Sequence, residues 1–328
     1  MSEQLSTLQE KLCNALQEGL TICPRPYADL AEFLGSDEER ILREVRELKQ
    51  SGIIRRIGAA INARALGRVS TLVTAHVPDE DIPAVARAVN ALEGVSHNYL
   101  RKHYYNLWFT LQGSSGTEIE RTLANLSGRL GIDFHSLPVI RMFKLDVRFD
   151  AEGEGRAQTA EAVKVPGDMV AELSEDEKHV LSGLQGELEA TAKPFDFLCK
   201  GGMSERQVLG IIVGLLEKGV VRRIGAVLDY RRLGFTANVM FCCSAPAQAA
   251  ARAGENLARF RVVSHCYERR TFEGWPYNLF AMMHGRSMGE IQQVVDKFTG
   301  SEAIDSYELL PTQAELKKRP VRQQFGEQ

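Results

Sequence analysis

The chain is an internal duplication, and this constrains its fold more than any other feature of the sequence. Residues 55–59 read RRIGA and return as RRIGA at residues 222–226, an offset of 167. VSHNY with an Arg two positions later, at residues 95–101, returns as VSHCY with the same Arg spacing at residues 263–269. A pattern repeated in the same order and at nearly the same spacing indicates one structural unit present twice.

Each copy divides into a helical first part and a second part of strands and helices. Before Gly52 apolar residues recur at helical spacing, which leaves room for three short helices. Residues 53–59 then alternate and turn like the wing of a winged helix-turn-helix. Residues 69–144 follow in the ferredoxin-like order βαββαβ. The expected fold class is therefore α+β, a tandem repeat of winged helix-turn-helix and ferredoxin-like βαββαβ units.

Domain boundaries follow from the repeat. A linker is expected where Gly and charged residues accumulate between the copies. The polar, Pro-interrupted C-terminal tail is expected to be unstructured or frayed. The expected divisions are a helix-turn-helix-like domain at 1–67, a ferredoxin-like αβ domain at 68–149, a linker at 150–170, second copies of the two domains at 171–234 and 235–314, and a tail at 315–328.

Composition and charge exclude several classes of function. A formal net charge of -3 and a pI near 6.2 provide no global basic field of the kind that holds proteins on nucleic acid. The sequence has no basic start followed by an apolar run, and no stretch approaches the roughly 20 apolar residues that span a bilayer. We therefore expect a cytoplasmic protein without membrane association. The six cysteines form no C-x-x-C pair and none lies near a His at zinc-ligand spacing, so no structural metal is expected.

The architecture resembles the Lrp/AsnC family over nearly the whole chain: a short helical domain ending in a wing, then ARALG or YRRLG, then βαββαβ. The signatures RRIGA, VSHNYxRxHxYNLWF and VSHCYxRR…WPYNLFAMxHG resemble the paired subunits of siroheme decarboxylases, here joined in one polypeptide. The resemblance implies a carboxy-lyase that removes two acetate carboxyls of siroheme to give 12,18-didecarboxysiroheme, in haem d1 or alternative haem biosynthesis. It implies no cofactor beyond the iron of the siroheme substrate.

The substrate that the resemblance implies is a flat macrocycle with eight carboxylates. Its site needs an apolar floor and several arginines at the rim, because Arg binds carboxylates bidentately. Alternation along a strand sends neighbouring arginines to opposite faces, so at most one of each adjacent pair is expected to touch substrate. The other is expected to be solvated or paired with a local acid. The candidate substrate-binding arginines are Arg55, Arg56, Arg101, Arg222, Arg223, Arg269 and Arg270.

Decarboxylation of a pyrrole acetate needs an electron sink and then a proton for the carbon that loses its carboxyl, and imidazole suits both steps near neutral pH. The candidates are His97 and its counterpart His265, each two residues before a Tyr and four before an Arg. On a strand this spacing places the three side chains on one face. His103 is a third candidate, without a counterpart in the second copy. An axial contact to the substrate iron is an alternative role for His97 or His265.

Aromatic side chains on adjacent strands usually fill a core, but some of them are expected to form walls for the macrocycle. The candidates are Tyr99, Tyr267 and Tyr277. The histidines expected to be structural are His76, His135, His179 and His284. We expect two pseudo-equivalent pockets at the interface between the copies. Further pairing of chains into a homodimer is also expected.

Two other functions compete with the decarboxylase. A DNA-binding regulator would need a basic reading helix. Residues 37–47, the third helix of the first copy, interleave acidic residues with arginines, and the corresponding residues 208–216 are apolar all round and expected to be buried. DNA binding is therefore disfavoured. The other alternative is a haem-sensing or haem-carrying protein, which would bind siroheme without turnover.

Overall fold

The structure is a computed structural model that describes residues 5–145, 148–149, 151 and 170–325. Both copies follow the order that the repeat predicts. The first copy contains α1 (Thr7–Glu18), α2 (Pro26–Leu34), α3 (Glu38–Gln50), β1 (Ile54–Ile61), β2 (Val69–Ala75), α4 (Ile82–Asn90), β3 (Val95–Arg101), β4 (Leu107–Gly113), α5 (Gly116–Leu130) and β5 (Phe134–Leu145). The second contains α6 (Glu175–Leu184), α7 (Glu205–Glu217), β6 (Val221–Leu228), β7 (Ala237–Ser244), α8 (Ala247–Ala258), β8 (Val263–Arg269), β9 (Leu279–Gly285), α9 (Met288–Ser301) and β10 (Ser306–Lys318).

The helical domains of the two copies differ in one helix. The first has three, as the apolar periodicity predicts, whereas a short 3-10 turn at Asp196–Leu198 stands between α6 and α7 in the second. The expectation that residues 208–216 are buried on all sides is wrong. Val208 and Ile212 are buried, but Val213 is 40% exposed, because α7 packs only one of its faces against the domain core.

The two wing strands pair with each other and join the copies. β1 and β6 form an antiparallel ribbon in which Gly58 is opposite Gly225. A β-carbon at Gly58 would lie 2.9 Å from Gly186 O, and one at Gly225 would overlap Leu16 O. The RRIGA glycines therefore allow the helical domains to approach the ribbon closely. Helices of both copies bury one shared apolar core against it.

The two ferredoxin-like halves close into one barrel with the strand order β10-β3-β4-β2-β5-β8-β9-β7. The strand β5 pairs through residues 134–138 with β2 and through 139–145 with β8. Likewise β10 pairs through residues 306–311 with β7 and through 312–318 with β3. Each copy thus lends the end of its last strand to the other. The strand edges of the barrel are all used within the chain.

The C-terminal tail begins as a strand, so the expectation of an unstructured tail from residue 315 is wrong for its first part. β10 runs to Lys318 and moves the end of the second ferredoxin-like domain from 314 to 318. Its polar composition is misleading because alternate residues have different surroundings: Leu316 packs on the first copy's core, while Lys317 donates to Asn90 O. Further on, the buried Gln323 accepts a hydrogen bond from Gln185. The expected linker lies outside the described residues except for its residues 151 and 170.

Apolar cores lie on both sides of the barrel wall. One packs the first sheet against α4 and α5, a second packs the other sheet against α8 and α9, and a third fills the barrel interior around Trp108, Met240 and Phe280. In the described ranges, none of the helices combines the length and the apolar character needed to cross a membrane. The interior core and the lent ends of β5 and β10 position the residues of the two candidate sites.

Candidate active site

The first site lies where β3 meets the end of β10. In register, Tyr99 of β3 is opposite Glu315 of β10, and His97 is opposite Lys318. The guanidinium of Arg101 lies 5.4 Å from the centre of the Tyr99 ring, as expected for side chains two positions apart on one strand face. The first site consists of these five residues together with Arg55, Asp229, Tyr230 and Arg231.

The second site lies where β8 meets the end of β5. Tyr267 is opposite Met142, and His265 is opposite Leu145, so two apolar residues take the register positions that Glu315 and Lys318 hold in the first site. The guanidinium of Arg269 lies 4.7 Å from the centre of the Tyr267 ring. The second site consists of His265, Tyr267, Arg269, Met142 and Leu145 together with Asn62, Arg64 and Arg222.

Both strand arginines are buried in the barrel. Arg101 donates from NH1 to Leu310 O at 2.7 Å, and Arg269 donates from NH1 to Leu137 O at 2.9 Å. Burial lowers the pKa of each guanidinium to about 10. Both therefore stay charged at neutral pH. The Nε atoms of both lack hydrogen-bond partners among the described residues, so each side chain has donor capacity for a ligand.

In the first site the arginine of the wing strand, Arg55, is ion-paired with carboxylates. Arg55 forms ion pairs of 2.9 Å with Asp229 and 3.2 Å with Glu315. The Arg55 guanidinium, and after it Arg231 N–H, holds the pKa of Asp229 below its usual range against the effect of burial. Arg231 itself lies 5.7 Å from the centre of the Tyr230 ring. The first site therefore places two negative charges beside its cations.

The wing arginine of the second site has a neutral neighbour instead. Arg222 donates to Asn62 Oδ1 at 3.3 Å, and Asn62 corresponds to Asp229 in the repeat. Burial raises the pKa of the Tyr267 hydroxyl, while the positive charges of Arg269, Arg222 and Arg64 act in the opposite direction. In the described part of the chain none of these three arginines forms an ion pair with a carboxylate. The second site is therefore a cluster of positive charge beside an aromatic ring.

His97 is held in a neutral state. Its Nδ1 lies 2.8 Å from Ser96 Oγ, which is also 2.7 Å from Thr110 Oγ1. Burial, and then the charge of Lys318, lower the pKa of His97 to about 4. At neutral pH His97 can accept a proton or bind iron, but it holds no second proton to give.

His265 is connected to a second histidine. Its Nδ1 lies 2.9 Å from Ser264 Oγ, and the same oxygen is 3.1 Å from His284 Nδ1. His284 is buried, packs 4.8 Å from Tyr230 between ring centres, and has a pKa lowered to about 3, first by burial and then by His265. The sequence assigns His284 a structural role, and the structure connects it through Ser264 to the candidate catalytic residue His265.

His103 lies apart from the other two histidine candidates. It follows the end of β3, its Nδ1 accepts a hydrogen bond from Tyr105 N at 3.0 Å, and its ring packs edge-on against Trp275 at 5.5 Å. Trp275 belongs to the insertion of the second copy, which also packs on Trp108 at 5.3 Å. His103 therefore lies where the loops of the two copies meet, several residues beyond His97.

Four more of the predicted substrate contacts lie outside both sites. Arg56 donates to Gln185 O and Ala59 O, and Arg223 is next to Gly19 at the end of α1, because alternation turns both toward the helical domains. Arg270 is exposed beyond the end of β8, where the strand alternation no longer directs it. Tyr277 packs 4.9 Å from Trp275 because the insertion carries it away from β8. Arg56, Arg223, Arg270 and Tyr277 thus lie outside the two sites, and their contact with substrate stays a prediction.

Sequence reasoning missed several residues of the two sites. Asp229, Tyr230 and Arg64 follow the wing, and Glu315 and Lys318 lie in the misassigned tail. A signal existed for Arg64, because it belongs to the repeated segment that ends in Leu-Gly. Within the described residues no group of three or more His, Cys, Asp or Glu side chains could hold a metal ion.

Profiles of known families match both parts of the repeat. The AsnC-like ligand binding domain matches residues 65–144 and 232–317, and the siroheme decarboxylase NirDL-like HTH domain matches residues 9–55. A siroheme decarboxylase of Hydrogenobacter thermophilus is 36% identical, over 95% of this chain and 94% of its own length. The chain belongs to the siroheme decarboxylase family. As a member it is a carboxy-lyase, and the expected α+β tandem fold is confirmed.

Two further members of the family bear on the sites and on the duplication. The crystal structure of the siroheme decarboxylase NirDL in co-complex with an iron-uroporphyrin III analogue has a TM-score of 0.72 and 32% identity, covering 96% of this chain and 94% of that chain. The siroheme decarboxylase alpha subunit of Desulfovibrio desulfuricans is 41% identical over 46% of this chain and 87% of the subunit. A relative as long as one copy is consistent with two subunit-like units joined in one polypeptide.

Proposed function

We propose that the chain removes two acetate carboxyls from siroheme to give 12,18-didecarboxysiroheme, and that siroheme binds in the second site. The observation that carries this proposal is the meeting of Arg64, Arg222 and Arg269 beside Tyr267 without a carboxylate among the described residues. Guanidinium groups bind carboxylates bidentately, and an aromatic ring suits the face of a macrocycle. The iron-uroporphyrin III analogue in the crystal structure of a relative supports a tetrapyrrole as ligand.

The first site is the poorer match to an anion with eight carboxylates. Asp229 and Glu315 already pair with Arg55, so a substrate carboxylate would have to compete with both and would be repelled by them. The corresponding positions of the second site, Asn62 and Met142, carry no charge. Charge complementarity therefore favours the second site for the intact substrate.

The chemistry of each step is a carbon–carbon bond cleavage followed by protonation. The bond between the methylene and carboxyl carbons breaks, carbon dioxide leaves, and the electron pair stays on the substrate. In the proposed mechanism a previously protonated ring of the macrocycle holds this pair, imidazolium at His265 gives its Nε2 proton to the methylene carbon, and the ring then releases its own proton to solvent. Solvent then returns a proton to His265. Each step consumes one proton, releases one carbon dioxide and leaves a methyl group.

His97 has a different place in this proposal. It lies in the first site and is neutral near pH 7, because its pKa is about 4, so it would contact the iron axially only if siroheme bound in the first site instead. We also propose that the enzyme needs no cofactor beyond that iron and that two chains form a homodimer. The product would enter haem d1 or alternative haem biosynthesis.

Anaerobic incubation of the purified protein with siroheme, followed by mass spectrometry of the extracted pigment, tests the activity. We expect the loss of two carbon dioxide units with the wild type and no loss with His265→Ala. His97→Ala, measured alongside, reports whether the first site contributes to turnover. Siroheme that remains bound and is recovered unchanged from the wild type would refute the enzyme and indicate a carrier or sensor.

A further inference from the structure

A series of hydrogen bonds leads from the first site toward His265, and its direction can be assigned from donor capacity. A guanidinium only donates, so Arg101 NH1, 3.1 Å from Thr312 Oγ1, makes that hydroxyl an acceptor. The Thr312 hydrogen is then directed to Asn238 Oδ1 at 2.9 Å. This orients the Asn238 amide with Nδ2 toward His284 Nε2 at 3.1 Å, where it donates. His284 Nε2 is therefore an acceptor without a hydrogen.

The same reasoning continues to the imidazole of His265. Because its pKa is about 3, His284 is neutral at pH 7 and carries its one hydrogen on Nδ1. That hydrogen is donated to Ser264 Oγ at 3.1 Å, and the Ser264 hydroxyl donates to His265 Nδ1 at 2.9 Å. Met282 O, the other acceptor of Ser264, is farther away at 3.2 Å. A neutral His265 that accepts on Nδ1 carries its hydrogen on Nε2.

The arrangement also accommodates the doubly protonated imidazole. When His265 gains a second proton on Nδ1, the Ser264 hydroxyl can turn to Met282 O and accept from Nδ1–H. Nε2 therefore carries a hydrogen in the neutral resting form and in the imidazolium that precedes each transfer. After the transfer Nδ1–H remains, donated to Ser264 Oγ, until solvent protonates Nε2 again. An imidazole nitrogen that carries a hydrogen has no lone pair in the ring plane for a metal.

The first copy lacks this arrangement. Gln112 holds in β4 the place of His284 in β9, and its amide accepts a hydrogen bond from Gln323 at 2.7 Å. Among the described residues, His97 Nδ1 has Ser96 Oγ as its hydrogen-bond partner, and in the pair of Ser96 Oγ with Thr110 Oγ1 either oxygen can be the donor. The hydrogen position of His97 is thus not determined by its neighbours. The directed hydrogen bonds are a property of the second copy.

We propose that His284 is a positioning residue that, through Ser264, keeps a hydrogen on His265 Nε2, so that His265 donates to the substrate and does not bind its iron. This inference rests on the proposed function for its substrate. It separates two roles of His265, proton donor and axial ligand, that the sequence leaves open. Outer hydrogen bonds of this kind fix the tautomer and orientation of a histidine and typically change activity by about 10–100-fold when removed.

The first test needs no substrate. Nitrogen-15 NMR of the histidine-labelled full chain reports which ring nitrogen of His265 carries hydrogen, with His265→Gln for assignment. We expect the Nε2–H form in the wild type and a mixture of tautomers in Ser264→Ala. A His265 that is predominantly Nδ1–H in the wild type would overturn the inference, whatever the enzyme does with siroheme.

The second test uses turnover. In His284→Phe, which keeps a ring but cannot donate to Ser264, we expect kcat to fall about 10–100-fold with KM nearly unchanged. His284→Asn places an amide donor near the lost Nδ1–H and should recover most of the rate. Gln112→Leu, the matched change in the first copy, should leave kcat within about twofold. Equal rates in His284→Phe and the wild type would contradict the positioning role.

Spectroscopy of bound siroheme separates the two roles of His265 directly. We expect the same electronic and electron paramagnetic resonance spectra of the bound iron in the wild type and in His265→Ala. Loss of an axial imidazole signature on this substitution would assign His265 to the iron and overturn the inference. Failure of the wild type to decarboxylate siroheme would refute the proposed function alone, since the NMR test does not depend on it.

Discussion

The ring of Phe143, in the last strand of the first copy, fills the space that a side chain at Gly254 in α8 of the second copy would need. Phe143 is partly buried against the second copy's core, to which it does not belong in sequence. On the opposite side of the barrel Leu316 of β10 packs on the first copy's core. Both cores are therefore completed by the other copy.

Gly254→Ala should destabilise the protein by about 1–3 kcal/mol, the usual cost of adding a methyl group to a packed core. Urea unfolding monitored by circular dichroism measures it. Gly128→Ala is the matched control, because Gly128 lies exposed within α5 with no atom near its missing β-carbon. That control should stabilise by about 0.5–1 kcal/mol. Combination with Phe143→Leu should reduce the cost at Gly254, and additive effects would argue against direct contact.

Separation of the copies should abolish the independent folding of each. Residues 1–151 alone lack the lent end of β10, and residues 170–328 alone lack the end of β5, so each would expose unpaired strand edges. When co-expressed, the two pieces should associate in a 1:1 complex. Size-exclusion chromatography with light scattering measures this. A stable, monomeric first half with native circular dichroism would show that the lent strands are dispensable.

The charge difference between the sites predicts asymmetric binding. Arg222→Met should raise the Kd for siroheme by about tenfold or more, because a hydrogen bond to a charged group contributes about 1.5–3 kcal/mol. Asn62→Asp, which introduces the carboxylate of the first site, should act in the same direction. Absorbance titration measures both.

The first site supplies the matched variant, Arg55→Met. It should leave the Kd within about threefold but lower the melting temperature, because it removes the guanidinium that pairs with both Asp229 and Glu315. A larger loss of affinity from Arg55→Met than from Arg222→Met would place the substrate in the first site instead.

The half-buried His97 predicts acid sensitivity. Its pKa is about 4 in the fold and near 6.5 in an unfolded chain, so below about pH 6.5 the unfolded chain binds the proton first. His97 alone should therefore lower the free energy of unfolding by about 1–3 kcal/mol between pH 6.5 and pH 4, in addition to the loss from His284. His97→Asn should flatten this part of the profile, measured by thermal unfolding. An unchanged slope in His97→Asn would contradict the assignment.

The sequence predicts the elements of the repeat well because their signals are local. β3 was expected at Val95–Arg101 and lies there, and the alternation of Arg55 with Arg56 sends the two in opposite directions. What it could not predict is pairing between copies. The strand at residues 315–318 is polar and gains its partner β3 from more than two hundred residues earlier in the chain.

The same limit applies to the sites. The His, Tyr and Arg of each strand were expected on one face, and ring contacts place Arg101 with Tyr99 and Arg269 with Tyr267. Only the tertiary structure identifies Asp229 and Glu315 as residues of the first site, because neither lies near the H-x-Y-x-R motif in sequence. A charge that neutralises an arginine from another strand leaves no local pattern.

In a homodimer of single-copy subunits, one gene encodes both sites, so any substitution alters both of them together. Asn62 and Asp229 are separate codons of one gene, as are Met142 and Glu315, and each can drift while its counterpart is held by selection. Fusion therefore allows the residues of one site to change while the corresponding residues of the other stay the same. The two sites of this chain already differ in charge at these positions.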